Sequence, residues 1–149
     1  MEKTNELNKL LSYIHMGNSI YRIYYEHCED LKDELLKEKI VMIQEIFKKH
    51  EEKVTNFIKE YDEEATKSIT YAGVMGIYKE KLKSFENSYS ICKAGIKATN
   101  MGMLSTIKFL KENEHLAQEI KDVVKDMIND YMFIQNELVN YILNNCIKK

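Results

Sequence analysis

Few side chains in this chain of 149 residues have the type and spacing that chemistry requires, and His50 is the first of them. It lies four residues from both Ile46 and Val54, so a helix would place it on an apolar seam. A di-iron carboxylate site in a four-helix bundle needs a glutamate from each of two helices and a Glu-x-x-His motif from each of the other two. Three residues before His50 stands Phe47, so the motif lacks its glutamate.

The positions that match His50 in depth on the other long helices carry no carboxylate. They hold Asn18 on the first helix, Ile96 on the third, and Ile128 with Tyr131 on the fourth. Carboxylates are needed there to neutralise the charge of two metal ions. The sequence therefore predicts no di-metal site and no cofactor.

Two interpretations of His50 remain open. In the first it is a hydrogen-bonded core histidine, with Asn18 and Tyr131 as partners in a small buried polar network. In the second it forms a mononuclear metal site with His15 and a carboxylate such as Glu51. His15 flanks the seam of the first helix, so its ring either reaches inward or faces solvent.

Motifs for nucleophilic and phosphate chemistry are absent from the sequence. It contains no glycine-rich phosphate loop, HExxH, CxxC or nucleophile elbow. His27 and Cys28 are adjacent, so on a helix they point about 100° apart and cannot form a dyad. Cys28, Cys92 and Cys146 lack metal-ligand spacing, which indicates reduced thiols. No catalytic residue is predicted, and the sequence favours a protein that is not an enzyme.

Composition indicates a globular helical protein of one domain, residues 1–149. Hydrophobic residues make up 44% and charged residues 31%, a balance that excludes a disordered chain. Basic and acidic residues alternate to a net charge of −2, which gives no case for nucleic acid. No apolar run approaches the ~20 residues that span a membrane. The acidic, amphipathic start is unlike a signal peptide, so we expect a cytoplasmic protein.

Two parts of the sequence repeat each other's pattern. A displacement of 78 residues relates residues 12–28 to residues 90–106. A displacement of 81 residues relates residues 42–61 to residues 123–142. Two similar helical hairpins are the simplest explanation, and together they make a four-helix bundle. The pairs of equivalent residues include Gly17 and Gly95, Tyr21 and Thr99, Phe47 and Ile128, and His50 and Tyr131.

Apolar periodicity predicts four long helices and one short helix. Their predicted ranges are residues 4–30, 33–61, 72–83, 86–111 and 115–145. The predicted fold is all-α: a ferritin-like four-helix bundle of two long helical hairpins joined by a crossover with a short helix. The equivalent glycines, Gly17 and Gly95, indicate either close backbone approach or helix entry after a frayed first segment.

Three segments carry a resemblance to a known family. They are MGNSIYRIYYEHC in the first helix, SITYAGVMGIYKEKL in the crossover and KAGIKATNMGM in the third long helix. The chain resembles a bacterial family of ferritin-like four-helix bundles whose crossover has a G-S-x-x-G-x-x-H-R-x-W-like motif. Gly73 and Gly76 match its glycines, while Tyr78 stands near the histidine and Leu82 near the tryptophan. The resemblance implies the fold and no particular activity.

The crossover also predicts a contact surface. Six large apolar residues fall within ten positions and cannot all face the bundle from one short helix. The exposed remainder would form an apolar patch, and a closed two-fold dimer is the commonest way to bury one. We therefore expect a homodimer with Val74 and Tyr78 in its interface. The six residues are Ile69, Tyr71, Val74, Met75, Ile77 and Tyr78.

These features together favour a non-catalytic bundle used for assembly, scaffolding or partner binding. Two alternatives stay open. One is a carrier of a small ligand or lipid that uses a cavity in the bundle. The other is a metal-binding or oxidase protein with an atypical site around His50.

Overall fold

The computed structural model describes residues 2–147, and that range contains five helices and no strand. They are α1 (Glu2–Leu31), α2 (Glu34–Glu60), α3 (Tyr71–Leu82), α4 (Ser88–Glu112) and α5 (Gln118–Asn145). The all-α prediction is confirmed, and each predicted helix lies within about three residues of an observed one at both ends. None of the described helices has the length and apolar character to cross a membrane.

Polar side chains mark where three of the helices begin. Asp33, Thr70 and Asn87 cap α2, α3 and α4, each accepting from a backbone N–H three residues further on at 2.9–3.1 Å. Such caps satisfy N–H groups that have no partner within the helix. Lys32, with φ 57°, turns the chain from α1 into α2 within two residues. The two helices therefore form a tight antiparallel hairpin.

The crossover between α2 and α4 returns along α1. The Ser12 hydroxyl donates to the carbonyl of Ser68 (3.0 Å), and the Tyr24 hydroxyl donates to Glu80 (3.1 Å). The crossover thus runs alongside α1 in the same direction, from the N-terminal half of α1 to the C-terminal end of α1, where α4 begins. As a result α1 and α5 run in one direction while α2 and α4 run in the other.

Equivalent residues of the two hairpins meet in the core. Helix α1 packs on α2 and α4, and α5 packs on the same two helices. The hydroxyls of Tyr21 and Thr99 lie 2.6 Å apart, and the rings of His50 and Tyr131 are 5.7 Å apart. Both pairs are related by the sequence repeat, so equivalent positions of the two hairpins lie side by side at these two levels of the core.

The equivalent glycines sit at close helix contacts. A Cβ added to Gly17 would lie 2.9 Å from the ring of Phe47, and one added to Gly95 would lie 3.0 Å from Leu138. Both glycines lie well inside their helices. Of the two explanations drawn from the sequence, close approach is confirmed.

Candidate functional site

His50 of α2 pairs with Asp130 of α5. Its Nε2 lies 2.8 Å from the Asp130 Oδ2, and the Lys49 Nζ lies 3.2 Å from the same oxygen. The His50 side chain is 1% exposed, whereas that of Asp130 is 26% exposed and that of Lys49 is 50% exposed. The three groups therefore run from the core to the surface between α2 and α5.

The pair is a neutral ring beside an ionised carboxylate. Burial lowers the pKa of His50, against the opposing effect of Asp130. Burial acts to raise the pKa of Asp130, but hydrogen bonds from His50 and Lys49 outweigh it and lower that pKa. His50 thus donates its Nε2 hydrogen to Asp130 at neutral pH. Its Nδ1 is buried and meets no hydrogen-bond partner among residues 2–147.

Aromatic rings surround His50. Phe47 and Tyr131 approach it edge to face, with ring centroids at 6.1 and 5.7 Å. The Tyr131 hydroxyl bonds to Thr106, and the Asn18 amide donates to Glu51 at 3.3 Å. The predicted partners of His50, Asn18 and Tyr131, were therefore wrong.

Helical geometry explains this error. Asp130 immediately precedes Tyr131 and stands beside the apolar seam of α5 rather than on it. A search of the seam alone passes over such a residue. The acid could have been found by noting that it neighbours the position equivalent to His50 in the repeat.

His15 of α1 does not join His50 of α2 and Asp130 of α5, and it has partners of its own. Its Nε2 hydrogen is donated to the Thr66 carbonyl (2.9 Å), and its Nδ1 lies 4.0 Å from the Glu51 Oε1. Because positions 50 and 51 point about 100° apart on α2, Glu51 faces α1 while His50 faces α5. The mononuclear metal hypothesis needed all three residues together, and the fold separates them. In the part of the chain that the structure describes, no group of three or more His, Cys, Asp or Glu side chains could hold a metal ion.

The level of the bundle at which a di-metal site would lie is packed with rings. Phe47 has Tyr21 on one side, with centroids 5.5 Å apart, and Tyr131 on another at 5.8 Å. Ile96 and Ile128 pack against the same core. The centre of the bundle is therefore an apolar core.

A polar cleft of about 510 Å³ opens on the outer side of the α1–α2 hairpin, beside the crossover. We refer to it as the α1–α2 cleft. Three cations from three different segments line it, together with one carboxylate and several amide or hydroxyl groups. Its lining residues are His15, Asn18, Ser19 and Arg22 of α1, Gln44, Lys48 and Glu51 of α2, and Lys67 and Ile69 of the crossover.

Sequence reasoning missed this cleft. Charges alternate in sign along the chain, so a local count shows no basic cluster. Two signals were present: Arg22 is the only arginine of the chain, and it falls seven residues after His15 on the same side of a helix. The side of α2 that faces it carries polar residues at matching intervals.

Helix α3 exposes an apolar stripe, which we call the α3 stripe. It consists of Val74, Tyr78 and Leu82, spaced four residues apart and 49%, 55% and 68% exposed. Ile77 instead packs against the core, and the side chain of Tyr71 lies outside the described residues. The predicted exposed remainder is confirmed for Val74 and Tyr78. The dimer itself stays a prediction.

Comparison with known proteins gives no match: no family model, no curated protein and no solved structure is similar to this chain. The resemblance to ferritin-like bundles therefore rests on the motif residues alone and stays a prediction. A Cβ added at Gly73 would lie 2.6 Å from the Ile69 side chain, and one added at Gly76 would lie 2.8 Å from the flexible end of Met16.

At the far end of the hairpins, Asp33 joins three helices. It caps α2 and also accepts hydrogen bonds from the hydroxyls of Ser88 at the start of α4 and Tyr141 near the end of α5. Burial acts to raise its pKa, but these hydrogen bonds prevail and lower it. This end of the bundle is consequently held by one ionised carboxylate.

The thiols of Cys28, Cys92 and Cys146 lie near Asp33 at the same end of the bundle. Burial, and after it the neighbouring thiols of Cys146 and Cys28, raises the pKa of Cys92 to about 12. Burial and then Asp33 raise the pKa of Cys28 to about 12 as well. All three thiols are free. Their protonated state at neutral pH makes them poor nucleophiles and redox centres.

Proposed function

We propose that this protein is a non-catalytic four-helix bundle with ferritin-like connectivity, and that it acts in assembly, scaffolding or partner binding as a homodimer. The single observation that carries the proposal is the exposed α3 stripe. Soluble proteins rarely leave a contiguous row of large apolar side chains in water unless it contacts something.

The position of α3 suits a second copy of the chain. Helix α3 packs mainly on α1, and Val74, Tyr78 and Leu82 on its other side are exposed and open to a partner. A two-fold axis at Tyr78, the middle residue of the stripe, would pair Val74 with Leu82 of the partner subunit. The stripe is thus self-complementary, as an isologous interface requires. Tyrosine suits the centre of such an interface because its ring buries a large area while its hydroxyl finds water or a polar partner.

The interior of the bundle supports a non-catalytic role. Phe47, Tyr21 and Tyr131 fill the level at which a ferritin-like protein would hold metal ions. The directions of the four long helices, with α1 and α5 opposed to α2 and α4, agree with ferritin-like connectivity. The α1–α2 cleft opens to the surface of the described residues rather than lying enclosed in the bundle, and a carrier of a small ligand or lipid would need an enclosed cavity.

Light scattering over a concentration series tests the proposal. The wild-type chain is expected to have the mass of a dimer, and Val74→Glu or Tyr78→Glu to have that of a monomer with unchanged helical circular dichroism. Leu104→Glu on α4 is the matched control, because Leu104 is 56% exposed and Tyr78 is 55% exposed. A wild-type chain that stays monomeric at millimolar concentration would overturn the proposal.

A further inference from the structure

The α1–α2 cleft concentrates positive charge in a chain whose net charge is −2. Arg22, Lys48 and Lys67 reach it from α1, α2 and the crossover. Within residues 2–147 none of the three forms an ion pair or a side-chain hydrogen bond, whereas Lys39, Lys49 and Lys83 elsewhere pair with carboxylates. Three cations on separate segments, none of them in an ion pair with a described residue, thus line one space.

The one carboxylate of the cleft is engaged by other groups. Glu51 accepts from the Asn18 amide at 3.3 Å and faces the His15 Nδ1 at 4.0 Å. It is therefore directed toward the His15 end of the cleft, and it forms no ion pair with any of the three cations.

The wall that carries Lys67 is held in place. The residues on either side of it are tied to α1: the Thr66 N–H donates to the Asn8 Oδ1 (2.8 Å), and the Ser68 carbonyl accepts from Ser12 (3.0 Å). His15 adds a third bond, to the Thr66 carbonyl. Because the backbone around Lys67 is already ordered, a ligand would lose little affinity to ordering it.

We propose that the α1–α2 cleft binds a small phosphate-bearing molecule. The planar guanidinium of Arg22 can bind a phosphate through two hydrogen bonds, and Lys48 and Lys67 add point charges. Asn18, Ser19 and Gln44 supply hydrogen-bonding groups for the remainder of the molecule. The volume of about 510 Å³ suits a small molecule. A nucleic acid would need a longer basic surface than three cations provide.

Calorimetric titration with inorganic pyrophosphate tests the site. Saturable binding to the wild-type protein is expected, with the dissociation constant raised about tenfold by Arg22→Gln or Lys48→Gln through loss of a charge-assisted contact. Lys93→Gln on the exposed side of α4 is the control and should leave binding unchanged. Sodium sulfate at the same ionic strength should bind much more weakly, since the site has room for more than one anionic group.

Three results would overturn the proposal: no pyrophosphate binding at millimolar concentration, equal weakening by Lys93→Gln and Arg22→Gln, or equal binding of sulfate and pyrophosphate. The exposed positions of Arg22 and Lys48 keep these variants folded, which circular dichroism verifies. The cleft does not include the α3 stripe, so a monomeric Tyr78→Glu variant should still bind pyrophosphate. Failure of the assembly proposal is thereby separable from failure of this one.

Discussion

Gly17 of α1 lies directly against the ring of Phe47 of α2. A Cβ at this position would be 2.9 Å from one ring carbon and 3.1 Å from the next. The ring has little room to move, because Tyr21 and Tyr131 pack around it with centroids at 5.5 and 5.8 Å. Glycine at position 17 therefore sets how closely α1 and α2 approach.

Gly17→Ala is expected to lower the free energy of unfolding by about 1–3 kcal/mol through overpacking, despite the better helix propensity of alanine. Gly102→Ala is the matched control, because its Cβ would lie an ordinary 3.5 Å from the Tyr131 ring. That variant should gain about 0.5–1 kcal/mol. Urea unfolding measures both, and a gain in stability for both variants would contradict the packing argument.

The buried ring of His50 makes stability depend on pH. Its pKa is lowered on folding, so below its ordinary value of about 6.5 the unfolded chain binds a proton that the folded protein does not. The contribution of the neutral His50 ring to the free energy of unfolding is fully present above that pH. It is lost as the pH falls below about 6.5, by up to about 1.4 kcal/mol per pH unit. Urea unfolding at pH 7.5 and pH 5.5 measures the loss.

The variant His50→Gln should reduce this pH dependence, whatever its effect on stability at pH 7.5. His115→Gln, at an exposed position between α4 and α5, should leave the dependence as it is. An identical slope in wild type and His50→Gln would show that another group is responsible.

The long helices could be predicted from the sequence because their signals are local. Apolar residues recur every three or four positions, proline is absent, and polar caps such as Asp33 and Asn87 begin the helices. The number of helices and their approximate ends could therefore be predicted from the sequence. The repeat relates Tyr21 to Thr99, but that the two hydroxyls meet in the core is known only from the structure.

The polar sites were less predictable because they join segments that are distant in the chain. Asp130 stands outside the apolar seam of α5, so periodicity did not indicate it as the partner of His50. The α1–α2 cleft needs Arg22, Lys48 and Lys67 side by side, which depends on the path of the crossover along α1. Only tertiary structure supplies that information.

The three thiols are expected to differ in reactivity. Cys28 and Cys92 are fully buried with pKa values raised to about 12, whereas Cys146 is partly exposed. Burial also raises the pKa of Cys146, so at pH 8 a chromogenic disulfide should modify this accessible thiol slowly but before the other two, which react only as the protein opens. Cys146→Ser should remove the first phase, and a first phase that survives this substitution would contradict the assignment.

The last prediction concerns Asp33, which joins the start of α2 to Ser88 and Tyr141. Asp33→Ala removes an N-cap, worth about 1 kcal/mol, and also the acceptor of two hydroxyl hydrogen bonds, for a total near 2–3 kcal/mol. Asn87→Ala is the control, because Asn87 caps α4 without bridging to another helix, and it should cost about 1 kcal/mol.

A double-mutant cycle with Tyr141→Phe isolates the bridge. If Tyr141 stabilises the protein through Asp33, Tyr141→Phe should cost stability in the wild type and almost nothing in Asp33→Ala. Because the pKa of Asp33 is lowered on folding, its contribution is present above its ordinary pKa of about 3.9 and is lost as the pH falls through that range. Equal costs of Tyr141→Phe in both backgrounds would mean that Asp33 acts only as a helix cap.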